Sequence, residues 1–185
     1  MPSTGDTLLA GRPGVAAFRA AMGRFPTGVT LLTQGSGDET IVMTLNSLTS
    51  VSLDPMLLLV SVKSDGRMRP RVVRGGRFAV NVLSEEHQDL AQEFCRPDRL
   101  EGQAAMLRLG AVEGALGQAV IPGAEAYFEC ELYAEHEAGD HVLLVGRIVA
   151  LYDRAGEPSP LLFHRGHYTR LDRVESDVPE GGRAA

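Results

Sequence analysis

Long apolar runs, cysteine and lysine are all scarce in this chain, and each scarcity closes off a class of protein. Across 185 residues no apolar run approaches the roughly 20 residues that a membrane-spanning helix requires. The opening MPSTGDTLLAGRPG lacks both a basic start and a long apolar centre, so no secretory signal is expected. Two cysteines, Cys95 and Cys130, cannot complete a zinc site and show no CxxC spacing. Cys95 falls late in a helical pattern and Cys130 on the apolar side of a strand pattern. Both are therefore expected to be buried free thiols, which suits a reducing, cytoplasmic setting. Lys63 is the only lysine, so positive charge comes almost wholly from arginine. A net charge of −6 and a pI near 5.4 remove the basic surface that a DNA or RNA partner demands.

Fixed-spacing motifs are missing as well. There is no G-x-S-x-G, and neither cysteine has a histidine next to it in sequence, which leaves no nucleophile arrangement. GxGxxG and G-x₄-GK[ST] loops are absent, so Rossmann and P-loop nucleotide modes are not expected. His136, His141, His164 and His167 lie near one another in number, yet their spacings match no zinc pattern, and no metal is expected.

What remains reads as one ordinary globular domain: 44% apolar and 23% charged residues, in a chain long enough for a substantial core. Residues 1–14 read as a loose leader, 15–173 as the domain, and 174–185 as a disordered Pro/Gly/acidic tail. Val15, Phe18, Met22 and Phe25 recur at three- and four-residue steps, predicting an amphipathic helix that FPTG ends. GVTLLTQ and ETIVMTLN form a hairpin around GSGD. After Leu53-Asp54-Pro55, MLLLVSVK is a continuous apolar strand expected to be buried on both faces. The basic stretch 64–76 has room for one short helix near Pro70. RFAVNVL is a strand and SEEHQDLAQEFC a helix capped by Ser84. Residues 96–124 are Gly-rich and read as irregular, a length of loop that usually serves as a cover or partner surface. Strict alternation from Ala126 to Glu135 predicts a half-buried strand. HVLLVGRIVALY comes after the AGDH turn, with Gly146 as a bulge or close approach, and LLFHRGHYTRL closes the pattern. Many strands without regular βαβ alternation predict a mainly antiparallel β-barrel with peripheral helices.

Three clusters could carry chemistry. In MTLNSLTSVS (43–52), Thr44, Asn46, Ser47, Thr49, Ser50 and Ser52 carry hydroxyls or an amide and no residue is charged. Short donors on a strand-held turn suit a phosphate; the same composition describes a plain Ser/Thr-rich turn, and pattern alone does not separate the two. His141 succeeds Gly139-Asp140 at a strand turn, where it can face a pocket or solvent. Arg165 and Tyr168, in His164-Arg165-Gly166-His167-Tyr168, can meet a phosphate and a flat ring, or be solvated and cover a barrel end.

FRAAMGRFPTGVTLLT, MTLNSLTSVSLDPMLLLVSV, GRFAVNVLSEEHQDLAQEF, GDHVLLVGRIVAL and PLLFHRGHYTRL, in that order over residues 15–171, resemble the flavin reductase-like family, built on the FMN-binding split β-barrel. The resemblance implies an antiparallel, Greek-key-like split barrel, a homodimer with flavin near its interface, and NAD(P)H:flavin oxidoreductase activity. It implies FMN (or FAD) as flavin, NADH or NADPH as co-substrate, and a partner monooxygenase that receives diffusible reduced flavin. By the same resemblance Thr44, Leu45, Asn46 and Ser47 run along the flavin, and Thr49, Ser50, Val51 and Ser52 lead toward its ribityl chain and phosphate. Pro26, Thr27 and Gly28 approach the ring, Lys63 and Ser64 hold the phosphate end, His141 sits by the nicotinamide, and Arg165 and Tyr168 lie beside the pyridine nucleotide. The family turn more often reads T-A-N-S-F-T-S-V-S, where this chain has Leu45 and Leu48. Two other readings use the same barrel: an FMN carrier without turnover, or a reductase with tightly held flavin acting on a small organic substrate.

Overall fold

The computed structural model describes Gly11 and residues 13–171. In chain order the elements are α1 (Val15–Met22), β1 (Thr27–Gly28), β2 (Thr30–Gln34), β3 (Ile41–Leu45), β4 (Thr49–Leu53), β5 (Met56–Lys63), α2 (Met68–Gly75) and β6 (Arg77–Val82). They continue with α3 (Gln88–Phe94), α4 (Gly102–Leu109), β7 (Val112–Glu113), β8 (Ala119–Val120), β9 (Ala126–Ala138), β10 (His141–Asp153), β11 (Leu162–His164) and β12 (His167–Thr169). The leader expected over 1–14 falls mostly, and the tail over 174–185 wholly, outside the described residues.

Seven strands form one antiparallel sheet in the order β3-β2-β6-β9-β10-β5-β4. Its two edges, β3 and β4, are consecutive in the chain and joined only by Asn46, Ser47 and Leu48. Laid flat, seven strands would hold those edges about 29 Å apart, whereas four Cα steps reach at most about 15 Å. The sheet must therefore curl until its edges approach, leaving a seam that three residues bridge. The split barrel anticipated from the motifs is this curled sheet. Ser47 fastens the seam: its Oγ donates to Ser61 O (3.2 Å) and accepts from Ser61 N–H (2.9 Å) on β5.

The sheet buries both its faces, but unequally. Inside the curl Leu32, Val60, Phe78, Val80, Cys130 and Leu144 pack with Met68 and Val72 of α2. Outside, α3 and α4 lay Leu90, Phe94, Ala105 and Leu109 over Leu31, Val42 and Leu83. Every residue of β2 is buried because it lies beneath this second layer. The continuous apolar run of β5 differs from expectation. Leu58, Val60 and Val62 are buried on one face and Leu57 on the other, but Leu59 and Ser61 are only half-buried and Met56, at the strand's start, is exposed. None of that face's residues joins the layer that α3 and α4 cover, and there the hydrophobicity of β5 outruns its burial.

The stretch 96–124 is more ordered than its glycines suggested. It holds α4 and the β7–β8 ladder. Gly110, at φ +59, ends α4 in the left-handed conformation of a helix C-cap. The buried carboxylate of Glu129 on β9 then pins the turn between β7 and β8, accepting hydrogen bonds from the N–H groups of Ala115 and Leu116, each at 2.7 Å. Gly146 does meet a close approach. It sits at a register shift in β9–β10, and a Cβ there would come within 2.5 Å of Phe78 Cζ and 2.8 Å of Cys130 Cβ.

A smaller sheet orders β1-β11-β12. It pairs Thr27 with Phe163 and Gly28 with Leu162, bringing together segments some 135 residues apart. α1 precedes it with its apolar stripe uncovered: Val15, Phe18 and Met22 are exposed, as is Phe25 just beyond the helix. No helix among the described residues is long and apolar enough to cross a membrane.

Candidate functional site

Asn46 and Ser47, in the middle of the seam, each line two cavities, one on either side. The first, about 880 Å³, has mainly apolar walls: Phe18 and Met22 of α1, then Phe25, Pro26, Leu48, Val82 and Phe163. Thr27, Gly28, Thr30, Thr49 and Arg165 add polar edges. The second, about 600 Å³, is charged: Lys63, Asp65, Arg67, Arg99 and His141 surround Thr44, Leu45 and Ser61. Both volumes fall in the range of small-molecule sites.

Local folding explains how each wall is held. Asn46 Nδ2 donates to Thr27 Oγ1 at 3.1 Å, tying the seam to β1. Arg165 and Gly166 form the two-residue turn between β11 and β12, both with positive φ (+53 and +85), as such hairpin turns require. Arg165 is the only non-glycine residue with positive φ among those described, and its N–H donates to Gly23 O at 2.8 Å. That bond docks the hairpin tip on the end of α1 and brings Arg165 to the rim of the apolar cavity.

In the charged cavity, strand register sets His141 directly opposite Lys63. Asp140 Oδ1 lies 2.8 Å from His141 Nδ1, and this hydrogen bond, with the imidazole's charge, holds the Asp140 carboxyl below its usual range. An ionised carboxylate only accepts, so Nδ1 carries the proton and Nε2 is left for a ligand. Ser64 supports the same turn, since its N–H and Oγ both donate to Asp140 O at 3.1 Å. Thr44 Oγ1 is committed to Ala91 O of α3 at 2.8 Å.

The anticipated residues thus divide. Pro26, Thr27, Gly28, Thr49 and Arg165 face the apolar cavity, and Thr44, Leu45, Lys63 and His141 the charged one, with Asn46 and Ser47 common to both. Ser64 stands behind His141. Ser50, Val51 and Ser52 lie along the edge strand β4 and line neither cavity. Tyr168 also lines neither: it packs edge-on against Phe163, ring centroids 5.4 Å apart, and burial pushes its phenol pKa up.

Sequence reasoning missed several lining residues. In sequence Phe18, Met22 and Phe25 mark only the apolar stripe of an amphipathic helix, and nothing local identifies them as cavity walls. Arg67 and Arg99 come from loops whose convergence depends on sheet topology. Cys95 corrects an expectation: it is exposed and lines the charged cavity, whereas Cys130 is buried. At the C-cap of α3, Cys95 points about 100° away from buried Phe94. No group of three or more His, Cys, Asp or Glu side chains suited to a metal occurs among the described residues.

Comparison with known proteins agrees with this architecture. The family model described as flavin reductase like domain matches residues 22–172. The NADH-dependent FMN reductase AsuE2 of Streptomyces nodosus subsp. asukaensis is 46% identical over 159 residues, covering 86% of each chain. Among solved structures, BorF, the flavin reductase component of a bacterial two-component tryptophan halogenase, superimposes with TM-score 0.80 at 37% identity, covering 86% of this chain and all of that one. The NADH:FAD oxidoreductase SgcE6 of Streptomyces globisporus C-1027, in complex with NAD and FAD fragments, gives TM-score 0.80 at 33% identity, covering 87% of this chain and 94% of its own.

Proposed function

The chain belongs to the flavin reductase like domain family, and from that premise we propose that it transfers hydride from NADH to FMN and releases reduced flavin to a partner monooxygenase. One observation carries the reading: a seam of uncharged donors separates an apolar cavity from a charged one that contains His141. The residues fit the coenzymes on their own chemistry. Flat apolar rings suit walls of Phe18, Phe25, Pro26 and Phe163, and phosphates suit the cationic side. NADPH and FAD use the same chemistry and are competing ligands in an activity assay.

When bound, the flavin supplies the hydride acceptor and its electron chemistry; the protein supplies placement. Leu45, Asn46 and Ser47 offer an edge where the two rings can meet, fixed by the Ser47–Ser61 and Asn46–Thr27 hydrogen bonds. Such fixation matters because reacting atoms must be held near 3–3.5 Å. His141 Nε2, left free by the Nδ1–Asp140 contact, hydrogen-bonds the nicotinamide carboxamide. No general acid or base is required. Domain limits of 15–173, action in the cytoplasm and a homodimeric assembly belong to the same proposal. The last is supported by the uncovered stripe of α1 and by exposed Val51, Leu53, Met56, Val149 and Leu151.

Mixing purified protein with NADH and FMN and following nicotinamide absorbance tests the activity, with saturation in flavin expected for a diffusible product. Lack of turnover with either pyridine nucleotide and any of FMN, FAD or riboflavin would refute it; yellow protein without turnover would indicate a carrier. His141→Ala should raise KM for NADH severalfold and leave that for FMN nearly unchanged. Equal rises would mean its role lies elsewhere.

A further inference from the structure

A helix start is commonly closed by Ser or Thr paired with a Glu or Gln three residues on; at α3 an imidazole stands in that second place. Ser84 precedes a 3₁₀ turn, Glu85–His87, that runs directly into α3. The His87 ring reaches back, its Nδ1 3.2 Å from Ser84 N and 2.9 Å from Ser84 Oγ, while the Ser84 side chain accepts from the His87 N–H. A backbone N–H only donates, so Nδ1 holds its lone pair and the ring is neutral, with its proton on Nε2. A second proton, on Nδ1, would set two N–H groups against each other. Ser84 is 1% exposed, so its N–H would be left buried without an acceptor.

The surroundings resist that proton. His87 is half-buried, and its Nε2 edge faces Gly123, where an added Cβ would lie 3.6 Å from it. The loop after β10 closes over the same turn: the Glu85 N–H donates to Ser159 O at 2.9 Å, and Ser84 bridges to Pro160. Burial is the largest influence and holds the ring's pKa below its ordinary 6.5; Glu86 opposes it, Arg154 adds to it and Glu125 opposes it. Glu125 is already engaged by Arg154 Nη1 and the Ser159 N–H, both at 3.2 Å, and Glu85 meets Arg170 at 3.9 Å. What the turn holds matters to the site. Ala91 O of α3 takes the Thr44 hydroxyl, Leu90 and Phe94 pack with Leu31 and Val42, and Cys95, just past the helix end, lines the charged cavity.

We propose that His87 is a proton-released clamp: once protonated it lets go of the Ser84 N–H, the start of α3 loosens, and the wall that α3 gives the charged cavity loosens with it. That the cavity holds a coenzyme rests on the reductase reading; the clamp itself does not. The folded chain sheds a proton that the unfolded chain keeps. The clamp's contribution is therefore full above about pH 6.5 and is lost as pH falls through the ring's lower folded value.

Amide hydrogen exchange at residues 88–94 of the coenzyme-free protein, corrected for its intrinsic pH dependence, is the test. Between about pH 7.5 and about pH 4.5, wild-type exchange there should rise about fivefold or more, the scale of a lost N-cap, ahead of the rest of the chain. His87→Gln keeps an acceptor that does not titrate and should hold α3 protected over that range. Unchanged protection in the wild type, or an equal acid response in both proteins, would overturn the proposal. FMN titrations at the same two pH values should show affinity falling severalfold more in the wild type than in His87→Gln. Lost α3 protection with an equal change in FMN affinity would break the link to the cavity and overturn it too. Should His87→Gln fail to fold, imidazole nitrogen shifts of the wild type decide. A His87 ring charged at neutral pH, or one that titrates without effect on residues 88–94, overturns the clamp; titration in step with their exchange supports it. A protein whose α3 loosens in acid but which binds no flavin at either pH would sink the reductase reading and leave the clamp standing.

Discussion

The two thiols sit about as differently as one fold permits. Cys95 lies at a helix end facing a cavity, and Cys130 faces Phe78 and Gly146 inside the curl. Burial first, then the charge of Glu129, push the Cys130 thiol from 9.0 up to about 12. Its effect on stability therefore has a definite sign. The folded state keeps the proton where the unfolded chain loses it, so the contribution is full below about pH 9 and fades as pH climbs toward 12. The slope is about 1.4 kcal/mol per pH unit while only the unfolded state is ionised. Thermal unfolding between pH 9 and 11 should show a falling midpoint, and Cys130→Ala should flatten that fall. A slope unchanged by the substitution would mean that other groups govern alkaline unfolding. At neutral pH a thiol reagent should modify Cys95 alone in the folded protein.

Elements with a strong period were legible, and those that depend on distant partners were not. The alternation from Ala126 to Glu135 became β9, and the helix expected from Ser84 opens as one 3₁₀ turn over Glu85–His87, the Ser84 Oγ and N–H meeting His87 Nδ1, before α3 starts at Gln88. α4 was hidden because its eight residues open on Gly102 and stop at Gly110, with Ala105 and Leu109 alone marking its buried face. The site was half legible. Motif resemblance located Asn46, Ser47, Lys63 and His141, but the pairing of β1 with β11 and the approach of residue 67 to residue 99 are products of topology, to which short-range pattern is blind. The link from β3 to β4 is the element most open to test. Ser47→Ala removes both hydrogen bonds to Ser61 and should cost about 1–3 kcal/mol, taking roughly 0.5–1.5 for each. Urea unfolding measures the loss, and faster hydrogen exchange at the Ser61 N–H would localise it. A variant as stable as wild type, with Ser61 still protected, would show that the seam is held elsewhere.

At the scale of the whole molecule, the apolar surface left uncovered exceeds what scattered exposure explains. Val51, Leu53 and Met56 at the β4–β5 turn are exposed, as are Val149 and Leu151 on neighbouring β10. Contiguous apolar surface of this kind usually marks an interface. Sedimentation equilibrium should return twice the 19.8 kDa of one chain, and Leu53→Glu combined with Leu151→Glu should shift the species toward single chains. A wild-type mass of one chain at micromolar concentration would remove the dimer.

The three-residue bridge between the sheet's edges has a consequence for the life of the protein between turnovers. A ligand lodged on both sides of Asn46 and Ser47 acts as mortar in the one joint the backbone leaves open, and its binding energy adds directly to resistance against opening. On the proposed cycle, in which reduced coenzyme leaves for its partner, the protein alternates between a braced and an unbraced form. Proteases would find the unbraced form at residues 46–48 first, so its cellular lifetime should follow the supply of riboflavin-derived nucleotides.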